Sequence, residues 1–130
     1  MASHRILQLN GLSTAACGVG MLLARRTLYT FFGLDTPMLL DVLAIGLLVY
    51  AGTLMLAARR PPVTRQALMA FTVADGAWVA ASVVVLLLFW DQLTPIARLL
   101  ITAVGLVVDL FATLQFRAAR SLPPRLAQIA

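Results

Sequence analysis

The chain has 130 residues, of which 62% are hydrophobic and 12% charged, about half the ~25% charged share of a soluble domain. All basic residues are arginine and all acidic ones aspartate; so few polar side chains do not cover a water-facing surface, and so apolar a chain is not disordered. The net charge of +5 does not indicate a nucleic-acid partner, because the arginines close apolar runs instead of forming a basic face with interleaved aromatics. A single cysteine, Cys17, excludes an intrachain disulfide framework, a Cys-x-x-Cys pair and a thiolate metal cluster.

Lipid is the solvent that fits. Four apolar runs, at about 6–24, 37–58, 66–90 and 95–116, each approach the ~20 residues that cross a hydrocarbon core. Each is expected to be a helix, which satisfies its own backbone in lipid. The first run is long for a secretory h-region and lacks a small-x-small end, so it is expected to be retained. Arg25 to Leu34, rich in arginine and aromatics, suits the headgroup region as a short interfacial helix or an extension of the first span. Gly33 is a plausible C-cap. Thr36-Pro37 and Thr94-Pro95 read as N-caps followed by proline, and Thr64 caps the third span. Pro61-Pro62 and Pro123-Pro124 stop the second and fourth spans.

These elements predict one all-α domain over residues 1–130: an up-down-up-down transmembrane four-helix bundle with short loops. Arg5, Arg59, Arg60, Arg65, Arg117, Arg120 and Arg125 fall on one side, and Arg25, Arg26 and Arg98 on the other. The positive-inside rule then places both termini in the cytoplasm. A weak echo between Gly46–Pro62 and Gly105–Pro124 leaves duplication of a helical hairpin open.

Chemistry is sought among polar residues inside the spans. An ionisable side chain at a helix centre costs at least ~2.5–3.5 kcal/mol, so it should face the bundle and have a partner. Asp75 and Asp109 fall at similar depth on consecutive antiparallel spans and are expected to form an intramembrane pair, either sharing a proton in a proton or cation relay or tying two helices together. Trp78 and Ser82 share the face of Asp75, while Arg98, Thr102, Gly105 and Thr113 share that of Asp109. Asp41, one turn into the second span, favours the helix N-terminus and can pair with Arg25, Arg26 or Arg98. Gly11, Ala15 and Gly18 on the first span, and Ala70, Ala74 and Ala77 on the third, form small faces for close helix approach. Asn10 and Ser13 are placed to hydrogen-bond across the first of these. Trp90 and Tyr29 read as interface anchors. Cys17 reads as a small core residue, and His4 as solvated. No metal-ligand cluster, nucleophilic triad, phosphate loop or haem motif is present, so no metal, cofactor or enzymatic activity is expected.

Leu9-Asn10-Gly11-Leu12-Ser13, Ala74-Asp75-Gly76-Ala77-Trp78 and Asp109-Leu110-Phe111-Ala112-Thr113-Leu114-Gln115 give the chain a resemblance to small four-span bacterial inner-membrane proteins of uncharacterised function, loosely DoxX-like. The resemblance implies a fold and a location in that membrane, and no activity. Small multidrug transporters share the length and span number, but their defining first-span glutamate has no counterpart here. The small faces, short loops and lack of catalytic groups predict an oligomeric or accessory subunit of a membrane complex, by self-association or with other proteins. The alternative is a small proton- or cation-coupled transporter or channel using Asp75 and Asp109.

Overall fold

A computed structural model of the chain describes residues 3–32, 38–60 and 62–122. Within these it is helical: α1 Ser3–Leu23, α2 Arg25–Phe32, α3 Met38–Arg59, α4 Arg65–Leu88 and α5 Pro95–Ser121. Four of them, α1, α3, α4 and α5, are long and apolar enough to cross a membrane. Together they form an all-α four-helix bundle. Gly33, Thr36-Pro37, Pro61, Pro123-Pro124 and Arg125, each given a role above, lie outside the described residues.

Two boundaries follow the sequence closely. Thr64 Oγ1 accepts from Ala67 N–H at 3.1 Å and Thr94 Oγ1 from Ala97 N–H at 3.2 Å. Each satisfies one of the four donors that a helix start leaves free. A third boundary takes one of its two expected forms, and a fourth differs. The interfacial segment is a helix of its own, parted from α1 at Ala24, although Ala24 N–H still bonds Gly20 O and Leu28 N–H bonds Ala24 O. The last helix runs on to Ser121, past the expected end at Phe116. Arg117 and Arg120 do not break a helix; they extend it while their heads reach for water.

The bundle is two antiparallel hairpins, α1 with α3 and α4 with α5, which meet chiefly along α1 and α5. Both ends of the described chain lie at one end of the bundle, here the terminal end, with Arg5, Arg59, Arg60, Arg65, Arg117 and Arg120. Arg25, Arg26 and Arg98 lie at the opposite end.

The α1–α3 contact is where small residues are used. A Cβ on Gly11 would stand 2.9 Å from Met55 Sδ, and one on Gly18 3.0 Å from Leu48 Cγ and 3.1 Å from Ala44 O. Such approach is the main source of attraction between helices in lipid, where burial of apolar surface gives little. The alanine face of α4 behaves otherwise: Ala70, Ala74 and Ala77 are exposed. So are large side chains around the bundle, among them Leu87 at 76%, Val73 at 67% and Leu106 at 66%. Near the terminal end, Leu7, Leu54, Ala58, Leu68 and Ala119 pack into one buried apolar layer drawn from all four long helices.

Candidate functional site: a buried carboxylate at the end of a cavity

Three polar side chains are buried among the described residues, Asn10, Asp75 and Gln115, and they meet at one place. Asp75 Oδ2 accepts from Asn10 Nδ2 of α1 at 2.8 Å and from Gln115 Nε2 of α5 at 2.6 Å. Asp75 Oδ1 accepts from the Tyr50 hydroxyl of α3 at 2.8 Å. One carboxyl on α4 thus holds a donor from each of the other three long helices. The donors are themselves fixed. Asn10 Oδ1 accepts from the Thr14 hydroxyl at 3.2 Å, Gln115 Nε2 also reaches Phe111 O at 3.0 Å, and the Tyr50 ring stands edge-on to Phe71, centroids 5.9 Å apart.

The levels match because of helix length. Asn10 is seven residues from Ser3, Tyr50 nine from Arg59, Asp75 ten from Arg65 and Gln115 six from Ser121. At ~1.5 Å per residue the four side chains therefore root about 9–15 Å from the terminal end. An acid at that depth is tolerable because its lone pairs are occupied: a carboxylate offers about four acceptor sites, and three are filled.

On the far side of the cluster from the terminal end lies a cavity of about 530 Å³ between the two hairpins. Asn10, Tyr50 and Asp75 form its polar end. Its walls are mainly apolar, with Leu43 and Leu47 of α3 facing Val104 and Val107 of α5, and Cys17 and Trp78 along the sides. On the near side, the layer of Leu7, Leu54 and Leu68, all fully buried, separates the cluster from the terminal end. Asp75 therefore stands between an open cavity and an apolar seal.

The structure does not bring Asp109 to Asp75. Asp109 is exposed, is not on the cavity wall and gives its carboxyl no part in the cluster. A helix ending near Arg117 would set Asp109 at the depth of Asp75; α5 continues, and Gln115, six residues on, occupies that level. Six residues turn a helix by about 600°, which leaves Asp109 about 120° around from Gln115. The expected polar stripe on α5 faces outward with it. Thr102 and Thr113 are exposed, their hydroxyls donating back to Arg98 O at 2.8 Å and Asp109 O at 2.9 Å, the usual resort of such residues in a helix. Gly105 alone is buried, opposite Ser82. Ser82 bonds Trp78 O at 2.9 Å, and Trp78 Nε1 is buried without a partner.

The opposite end carries a second, surface cluster. Arg25 Nη2 donates to Asp41 Oδ2 at 2.8 Å, Arg25 Nε to the Tyr29 hydroxyl at 3.2 Å, and that hydroxyl to Asp41 Oδ1 at 3.1 Å. The Tyr29 hydrogen bond, then the Asp41 charge, hold the Arg25 guanidinium further above its ordinary pKa, so it stays charged. This ring fastens α2 to the start of α3. Arg98 does not join it: its guanidinium lies 4.3 Å from the Trp90 ring centre and donates to Trp90 O, capping the end of α4.

Two members of the buried cluster, Tyr50 and Gln115, were not singled out by sequence. Gln115 was the available signal, a glutamine without a structural reason at what looked like a helix end. Comparison with family models, with curated proteins and with solved structures returns no match.

Proposed function

We propose that the chain is a small proton- or cation-coupled membrane carrier in which Asp75 alone, without Asp109, is the coupling group. The observation that supports this is the position of Asp75 between a cavity on one side and an apolar layer on the other. A buried acid used only as a structural tie needs no cavity beside it. A channel needs a continuous path, whereas the Leu7, Leu54 and Leu68 layer fits a carrier closed at one end. The two hairpins, joined mainly along α1 and α5, are the natural rigid bodies for a rocking motion about the site. In this reading the arginine-rich terminal end faces the cytoplasm of a bacterial inner membrane, in accord with the positive-inside rule.

The test is flux. In vesicles reconstituted with the wild-type chain, an imposed pH gradient read by a trapped dye is expected to collapse when a coupled small cation is supplied. Asp75→Asn is expected to abolish this collapse, and Asp109→Asn to leave it at the wild-type rate. Equal loss in both variants, or in neither, would remove Asp75 from its role.

A second reading, as an oligomeric or accessory subunit, is favoured by a different observation. Asp109 lies near the middle of the 27-residue α5 and is exposed. Facing lipid there, a carboxyl costs at least ~2.5–3.5 kcal/mol, which a covering protein surface would relieve. If that face meets another protein or a second copy, Asp109→Leu is expected to shift the protein in nanodiscs from the assembled to the monomeric species by mass photometry. If it meets lipid, the same change leaves the mass alone and stabilises the monomer.

A further inference from the structure

Building on the carrier reading, we propose that the cavity binds a lipophilic monocation: an amine with one charged nitrogen on an apolar body, its N–H donating to Asp75 Oδ1. Three features define this ligand. First, Asp75 is the one charged residue on the cavity wall. An anion is repelled there, a dication is left half-neutralised in low dielectric, and a monocation is matched. Second, the two carboxyl oxygens are unequal. Oδ2 already holds two donors, from Asn10 and Gln115, while Oδ1 holds only Tyr50. Asn10 and Tyr50 both line the cavity and Gln115 does not; the acceptor site that remains is on Oδ1, the oxygen with a single donor. Third, apart from Ser13, Thr14 and Cys17, the rest of the wall offers apolar contact. Leu43, Leu47, Val104 and Val107 would enclose the body of the ligand, and the Tyr50 and Trp78 rings can offer π-faces to an ammonium. The volume of about 530 Å³ lies within the ~300–1,000 Å³ of sites for small organic ligands.

The experiment is equilibrium dialysis of 1-naphthylmethylamine against the full-length protein in phosphatidylcholine nanodiscs. Naphthalene-1-methanol serves as the neutral isostere, and empty nanodiscs correct for partition into lipid. The amine is expected to saturate at one per chain and to bind about tenfold or more tighter than the alcohol, the usual advantage of a charge-assisted hydrogen bond. Asp75→Asn is expected to remove that difference. Gly46→Phe is expected to remove saturable binding of both compounds: Gly46 lines the cavity, and a Cβ there meets nothing within 4 Å. Because its side chain enters open space, this variant keeps the test decisive where Asp75→Asn does not fold. Equal affinity for amine and alcohol, amine binding that survives Gly46→Phe, or no saturable amine binding would each overturn the proposal. Loss of the amine site with Asp75-dependent flux intact would sink the ligand class and leave the carrier. Amine binding without flux would keep the site and sink the carrier.

Discussion

Asp75→Leu is expected to destabilise the isolated protein by about 2–4 kcal/mol. Leucine matches aspartate roughly in size but accepts no hydrogen bond. Three donors converge on the lost carboxyl, and they differ in what they have left. Gln115 Nε2 keeps Phe111 O, and the Tyr50 hydroxyl has Phe71 O at 3.4 Å. Asn10 Nδ2 keeps no other partner that the structure shows and is 2% exposed. The cost should therefore fall mainly on Asn10, and the double change Asn10→Leu, Asp75→Leu should cost less than the sum of the two single ones. Replacing both ends of a buried polar contact removes the unsatisfied group along with the bond. Unfolding in mixed micelles by increasing anionic detergent, followed by circular dichroism, measures all three variants. Additive losses would show that the Asn10–Asp75 bond carries no coupling. The scale is set by membrane hydrogen bonds, which average about 0.6 kcal/mol and reach about 1.7 in double-mutant cycles; a loss above about 5 kcal/mol would need another cause.

Gly18→Val should lower stability by about 1–3 kcal/mol through a different route, overpacking. A Cβ at Gly18 meets Leu48 Cγ at 3.0 Å and the Ala44 carbonyl oxygen at 3.1 Å. The leucine can rotate away, but the carbonyl belongs to the backbone of α3 and yields only if the helix moves. Valine adds two methyl groups to that gap, so α1 must separate from α3 along the contact that makes the first hairpin. Separation would also draw Asn10 from Asp75, since Asn10 lies two turns along the same helix. Gly20 is the control. A Cβ there has open space, and Gly20→Ala should be neutral or gain up to about 1 kcal/mol from helix propensity. Thermal unfolding in one detergent compares the two. Similar losses at Gly18 and Gly20 would place the cost outside the α1–α3 contact.

Much of the fold was legible because lipid imposes a simple grammar. Apolar runs near twenty residues gave four helices, Thr64 and Thr94 marked two starts through their hydroxyls, and Asp41 stood ready for an arginine at the same end of the bundle. Gly11 and Gly18 were recognisable as a contact face, since only glycine lets backbones approach so closely. What lay across from each residue was not legible. Measured from the ends of the apolar runs, Asp75 and Asp109 fall at one depth. A helix end in lipid depends on how far arginine side chains reach to water, and α5 continues to Ser121. That extension sets Gln115 at the level of Asp75 and turns Asp109 outward.

By itself, the sequence determined four helices apolar enough to cross a membrane and the need for a partner at an acid buried among them, because these follow from composition, length and the cost of charge in hydrocarbon. Only the tertiary structure decided which partner. Tyr50, Asn10 and Gln115 come from three helices whose rotation and stagger are set by side-chain packing, with the Gly11–Met55 and Gly18–Leu48 contacts fixing α1 on α3. The cavity beside Asp75 and the Leu7, Leu54 and Leu68 layer beneath it arise from that same packing. Neither can be read along one helix, because a void or a seal exists only between helices.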